Sequence, residues 1–262
     1  MNIAKKTILK TFRNLGYNIK KIHKEEKIFL SFDEIYKKIF KKKIVIFDIG
    51  GNKGQSIERF LKYFPKAKIY SFEPLKKEFL YLKEKYSGHK NIILNNMALG
   101  EKKHKKKFYI NAKSATSSFN KLKKGSDWLK LRSKENKTKL NAFTLKTEKI
   151  EIITLDDYCK SNSISKIDIL KIDTQGYEDK ILDGSKLILK KGGISAIECE
   201  IMFDNVYSRY LTFSDVEKNL IKNNYRFSGI ETCNNNLFEN ILFFGDLLYI
   251  HKKILKSHIK NS

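Results

Sequence analysis

Cysteine, proline and arginine are all scarce in this 262-residue chain, and each shortage removes a class of explanation. The three cysteines, Cys159, Cys199 and Cys233, are widely separated and odd in number, without a C-x-x-C pair or a Cys/His cluster. That spacing indicates neither a disulfide framework nor a metal site, and it suits a reducing cytoplasm. Pro65 and Pro74 are the only prolines, and no Pro- or Ser-rich stretch or internal repeat appears, which argues against a second, tethered domain. Apolar runs end after a handful of residues, as at Ile241–Phe244. No segment therefore reads as a membrane span, and the first residues lack the apolar core of a signal segment. The expectation is a cytoplasmic protein.

Acids are also few: 29 Asp and Glu stand against 54 Lys and Arg, a formal net charge of +25. Such a balance invites a nucleic-acid reading. Only five of the basic residues are arginine, however, and they are not clustered. Phosphate and base recognition favour Arg forks. With Asn and Ile also abundant, part of the lysine excess reads as compositional bias, and specific nucleic-acid binding is not expected. Attraction to anionic substrates or to an anionic membrane surface is the second reading of the same charge.

What is present is an apolar content of 41%, enough for one core, and an informative stretch at residues 44–54. Ile44–Phe47 reads as a buried parallel strand ending in Asp48. A turn with Gly50, Gly51 and Gly54 follows, and then helical spacing of Ile57, Phe60, Leu61 and Phe64. Strand, Gly-rich turn and helix open a doubly wound nucleotide-binding sheet, whose ligands sit beyond the carboxyl ends of the strands. Asn52 occupies the second glycine position of a dinucleotide fingerprint, and no Gly-Lys-Ser/Thr completes a phosphate loop. The remaining pattern, D-x-G-x-N-x-G, lets an adenosine moiety approach the backbone beside an acid that suits a cationic amino group. That chemistry fits S-adenosylmethionine (SAM). The next strand, Lys68–Phe72, ends in Glu73-Pro74 and places an acid 25 residues after Asp48, where such units hold ribose hydroxyls.

These residues and three further segments resemble the FkbM-type SAM-dependent methyltransferases. Asp48–Gly54 is similar to that family's first cofactor motif and Phe72–Pro74 to its second. Asn96-Met-Ala-Leu-Gly100 resembles the segment after the third strand, with Asn96 and Ala98 as further cofactor contacts. Thr154–Tyr158 followed by Ile167–Glu178 resembles its most distinctive signature, with Gln175 standing where the family commonly has Glu. The resemblance spans about residues 44–245. It implies a Rossmann-like class I methyltransferase fold: an α/β domain with a seven-stranded, mostly parallel sheet, a late antiparallel strand and helices on both faces. It also implies a hydroxyl of a glycan or secondary metabolite as methyl acceptor, and an active-site role for the Ser-rich stretch Ser114–Ser118. An RNA or other polyanion methyltransferase, and a non-catalytic SAM-binding module at a membrane or glycan-assembly complex, stay open as alternatives.

Periodicity places strands at 44–48, 68–72, 91–95, 167–172, 194–200, 225–230 and 240–244, and helices at 54–63, 76–86 and 178–190. Residues 1–43 carry 13 basic residues against four acids and read as a helical extension. One short helix contains Ile3, Ile8, Leu9 and Phe12, Gly16–Asn18 breaks it, and Phe32–Phe40 forms another. Packing on the sheet edge is the leading reading; lying on a membrane surface is the other. Residues 246–262 read as a terminal helix. Residues 100–149 interrupt the alternation with 16 basic residues, four acids and the sole tryptophan, Trp128. Such an insertion serves as a lid or substrate platform, or is a solvated excursion.

For methyl transfer to an alcohol, the protein must align the acceptor and take its proton. Asp173, at the end of the fourth core strand, is the best placed acid. Glu198 and Glu200 share one face of the fifth strand, with Glu200 nearer the tip. Glu178 opens the following helix. The structural alternatives are a pairing of Asp173 with Lys171 and a helix-start charge at Glu178. His104 sits in the Lys102–Lys107 run and reads as solvated.

Overall fold

The computed structural model of the chain describes residues 30–41, 43–232 and 242–259, together with Thr11 and Asn14. Two compact units meet in sequence at Ser31: Met1–Ser31 and Phe32–Ser262. The helix expected around Ile3–Phe12 and its break at Gly16–Asn18 lie outside the described residues.

The second unit begins with α1 (Phe32–Ile39) and then alternates: β1 (Val45–Ile49), α2 (Gln55–Tyr63), β2 (Lys68–Phe72), α3 (Lys76–Lys85) and β3 (Ile92–Asn95). The insertion contributes β4 (Ala98–Leu99), β5 (His104–Asn111), α4 (Asp127–Glu135) and β6 (Thr144–Ile153). Alternation resumes with α5 (Leu155–Ser161), β7 (Ile167–Ile172), α6 (Glu178–Asp183), α7 (Lys186–Lys190), β8 (Ile194–Met202), α8 (Phe213–Leu220), β9 (Tyr225–Thr232), β10 (Phe244–His251) and α9 (Lys252–Ile259).

Seven strands form one sheet in the order β3-β2-β1-β7-β8-β10-β9. The first five of these are parallel, and β10 enters antiparallel between β8 and β9. This is the α/β architecture the resemblance implied. Parallel strands need cover on both faces, and the near-continuous apolar runs of β1 and β7 provide for it. Ile46, Ile69, Ile169 and Leu248 pack on one side with Phe32 and Tyr36 of α1, Phe60 of α2 and Leu82 of α3. Phe47, Leu170, Ile197 and Leu247 face the other way, against Tyr158 of α5, Leu182 of α6, Leu189 of α7 and Val216 of α8.

Three boundaries differ from the sequence reading. The helix expected over 178–190 is two, because Asp156 of α5 accepts hydrogen bonds from the amides of Leu187 (2.8 Å) and Ile188 (2.9 Å) and so starts α7 afresh. The last strand is Phe244–His251 rather than 240–244, since it pairs along β8 from Met202 to Ala196; the terminal helix therefore begins at Lys252, not at 246. Burial of alternating Leu247, Tyr249 and Leu248, Ile250 on the two faces outweighs helical spacing there. The insertion also runs past its expected limits, as a three-stranded sheet, β4-β6-β5, from Ala98 to Ile153. Among the described residues no helix is long and apolar enough to cross a membrane.

The register lines up a buried polar row across the sheet. Ser71, Asp48, Lys171 and Glu198 are mutual neighbours on β2, β1, β7 and β8. Glu198 is fully buried and receives the Arg59 guanidinium at 2.6 Å and the Tyr36 hydroxyl at 3.0 Å, which ties α1 and α2 to the strand. Burial pushes the Glu198 carboxyl up, but Arg59 outweighs it and holds the group below its usual range. Arg59→Ala leaves that carboxylate uncompensated and should cost about 3–5 kcal/mol, against about 1 kcal/mol for Tyr36→Phe. Urea unfolding of the two variants measures both; a loss below about 1 kcal/mol at Arg59 would show that Lys171 alone sustains Glu198.

Candidate active site

Two residues beyond the polar row, on the same face, stands a second row: Glu73, Gly50, Asp173 and Glu200. All four line one cavity of about 370 Å³ at the carboxyl ends of the strands. The β1 and β7 turns touch behind it. Gly50 adopts φ +97°, and a Cβ there would lie 2.0 Å from the carbonyl oxygen of Asp173. Only glycine admits that approach.

Glu73 is held by its own turn. Its Oε2 accepts the Asn52 amide and its Oε1 the Leu75 amide, both at 2.8 Å. A carboxylate has about four acceptor sites, so each oxygen keeps one for a ligand. Burial pushes the carboxyl up to about 7 despite those two amides. Asn96 reaches the same turn from behind, donating Nδ2 to the carbonyls of Glu73 (2.9 Å) and Pro74 (3.0 Å). Asn52, Pro74 and Ala98 line the cavity with Glu73; Asn96 does not, and shapes the site through the turn it holds.

Two further residues expected at the cofactor stand outside the wall. Asp48 is fully buried, with Oδ2 accepting the Ser71 hydroxyl at 2.9 Å and Oδ1 unpartnered among the described residues. Burial holds its carboxyl up, partly offset by Lys171 and Ser71. The direct amino-group contact expected of it is not open, because Asp48 belongs to the inner row. Gly54 is also set back: it precedes α2 at φ +85°, and its carbonyl accepts the Tyr86 hydroxyl at 3.0 Å.

The β7 turn brings Asp173 and Glu200 together. The Gln175 amide nitrogen donates to Asp173 Oδ1 (3.1 Å) and to Glu200 Oε2 (2.6 Å), while its oxygen accepts the Tyr207 hydroxyl at 3.0 Å. Lys171 reaches Asp173 Oδ2 at 3.2 Å. Burial raises the Asp173 carboxyl, but Lys171 and hydrogen bonds from Gln175 and Glu200 outweigh it and hold Asp173 below its usual range. Glu200 goes the other way, raised well above by burial and by the charges of Asp173 and Asp246. The two carboxyls are thus pushed in opposite directions, Asp173 towards the ionised form and Glu200 towards the protonated one. Glu178 takes no part in this pair. Its Oε1 accepts the amides of Thr174 (2.8 Å) and Gly176 (3.1 Å) and the Thr174 hydroxyl, so it fastens the turn from inside, off the cavity wall. That placement corrects the catalytic role expected of it. Gln175 and Tyr207 are what residue reading missed. Gln175 was marked by its departure from the family pattern; Tyr207 carries no local signal.

The insertion supplies the remaining wall. Lys113, Ser114, Thr116 and Ser117 line the cavity beside Trp128 and Arg132 of α4. His104 is not among the lining residues.

The cavity fits SAM. A carboxylate with free acceptor sites suits a ribose diol, the backbone of Gly50–Asn52 admits close approach, and Leu75, Met97 and Leu99 offer an apolar slot for a purine. Residues 48–227 match the Methyltransferase FkbM domain, and the chain belongs to that family. Its cofactor is S-adenosyl-L-methionine. A 2-O-methyltransferase NoeI of Sinorhizobium fredii (strain NBRC 101917 / NGR234) is 27% identical over 152 residues, which cover 56% of this chain and 59% of that protein. The chain thus spans less than two thirds of the length of this curated relative. Among solved structures, an rRNA methylase from Streptococcus thermophilus is similar at 10% identity and a TM-score of 0.45, over 86% of this chain and 98% of that one. Fibrillarin from Aeropyrum pernix with bound S-adenosyl-L-methionine is similar at 11% identity and a TM-score of 0.39, over 80% and 67%.

Accepting two ribose hydroxyls requires an ionised Glu73. With its carboxyl at about 7 in the free protein, binding below that pH must first expel a proton. S-adenosylhomocysteine (SAH) affinity should therefore be flat above pH 7 and fall towards acid. Glu73→Gln should remove that acid limb and weaken binding by about 2–3 kcal/mol. Calorimetry across pH 5.5–8.5 tests both; an unchanged profile in the folded variant would place the ribose elsewhere.

Proposed function

We propose that this chain is an O-methyltransferase that methylates a hydroxyl of a sugar. One observation carries the reading: an ionised carboxylate, Asp173, faces the cavity that also holds Glu73, and is a third exposed within it. When bound, SAM supplies an electrophilic methyl group on a sulfonium, and a carbon–sulfur bond breaks as a carbon–oxygen bond forms.

Asp173 accepts the hydrogen bond of the acceptor hydroxyl and so points an oxygen lone pair away from itself, towards the methyl. As oxygen gains positive charge its proton becomes acidic, so even a carboxylate held low by Lys171 suffices to take it. The proton ends on Asp173 Oδ. Gln175 is a positioning residue: its two N–H groups hold Asp173 and Glu200 at fixed orientation. The name of the Sinorhizobium relative supports oxygen as the acceptor atom. The hydroxyl-rich stretch Ser114–Ser117 on the cavity wall supports a sugar, which presents several hydroxyls. Of the five arginines, Arg59 and Arg209 are committed to internal Glu198 and Asp179 and are not available to RNA.

Asp173→Asn should keep SAH affinity within a few-fold and lower single-turnover methylation by about 100-fold or more. Screening glycan acceptors with labelled SAM supplies the assay, and full activity in a folded variant would remove Asp173 from the mechanism. Gln175→Glu exchanges two donors for a third carboxyl and should move the acid limb of the pH–rate profile up by about one unit or more. An unshifted profile would mean that Gln175 does not set the charge of the pair.

A further inference from the structure

The cavity wall carries charges of both signs from different parts of the chain. Glu73, Asp173 and Glu200 stand on strand ends, whereas Lys113 and Arg132 come from the insertion. The proposed transfer uses the carboxylates and leaves the cations without a task. The protein supplies them with one acid, Glu135. The Lys113 ammonium has no ion-pair partner among the described residues. Arg132 reaches exposed Glu135 at 2.7 Å through Nη1, while its buried Nε has none. Burial, followed by the charge of Arg132, holds Lys113 below its usual range, and Glu135 offsets this only in part. The Arg132 guanidinium lies 5.8 Å from the centre of the Trp128 ring, one turn earlier on α4. Lys113 is exposed and Arg132 half-buried, and an anion seated between them would be held by two charge-assisted contacts.

We infer that the acceptor is an acidic sugar, whose carboxylate or phosphoryl group binds between Lys113 and Arg132. This rests on the sugar O-methyltransferase reading and narrows it to anionic acceptors. The excess of lysine over the whole surface does not produce such a site; two cations inside one cavity do.

Trp128 is the sole tryptophan, so its fluorescence reports occupancy directly. The full chain saturated with SAH is titrated with methyl glucoside, methyl glucuronide and glucose 6-phosphate. At least one anionic sugar should bind about tenfold or more tighter than the neutral one, the scale of a single charge-assisted contact. Preference for the uronide identifies a carboxylate, and preference for the phosphate a phosphoryl group. Lys113→Gln and Arg132→Gln should each erase the preference while the melting temperature is unchanged and SAH affinity stays within about two-fold of the parent; Arg132→Lys should retain part of it. Absence of any anion-dependent binding overturns the inference. So does a parallel loss of SAH affinity in the Gln variants, which would give the cations to the cofactor's own carboxylate. Failure of the parent chain to bind SAH would instead defeat the methyltransferase reading itself.

Discussion

The ammonium of Lys171 is the charge around which the site is built. It is buried in the middle of a parallel sheet, where an unpaired cation is strongly disfavoured. Burial alone would lower it, yet Asp173, Glu198, Asp246 and Asp48 surround it and together hold it above its ordinary range. The dependence runs both ways. Lys171 holds Asp173 low, and burial followed by the charge of Asp173 holds Glu200 high. One interior cation thus faces four carboxylates and holds the nearest of them, Asp173, low.

Strand register converts that charge cluster into a layered site. The inner row, Ser71, Asp48, Lys171 and Glu198, is closed to solvent and joins the sheet to α1 and α2 through Arg59 and Tyr36. The outer row lies one side-chain repeat further on and opens into the cavity. Asp48 and Glu73, which look equivalent as strand-end acids, therefore do different work: one stabilises the interior beneath the turn, the other presents free acceptor sites to a ligand. The contact of Gly50 with the Asp173 carbonyl locks the two turns together.

The insertion adds what the sheet cannot. Its strands pair with each other and with β4, which begins three residues after β3, so it is anchored to the cofactor side of the domain. From that base Lys113, Ser114–Ser117, Trp128 and Arg132 reach the cavity. The lysine run before it, which looks featureless as a sequence, is β5: Lys105 and Lys107 alternate outward while Phe108 turns in.

The sequence by itself determined the sheet, because continuous apolar strands, Gly-rich turns and amphipathic helices are local signals with their own periodicity. It also determined the cofactor, since the acids after β1 and β2 and the missing glycine at Asn52 are written at fixed spacing. Asp173 and Glu200 were legible as strand-tip acids for the same reason. Tertiary structure alone decided which acids line the cavity: Asp48 and Glu178 differ from Glu73 and Asp173 by depth, and depth depends on what packs over each turn. It decided that Asp246 and its neighbours form a strand, where pairing with β8 overrides helical spacing. It decided too that Gln175, Tyr207, Lys113 and Arg132 meet around one cavity. Those contacts join residues far apart in the chain, and no local pattern encodes the protonation of a carboxyl that depends on a lysine two residues away and a glutamate on the neighbouring strand.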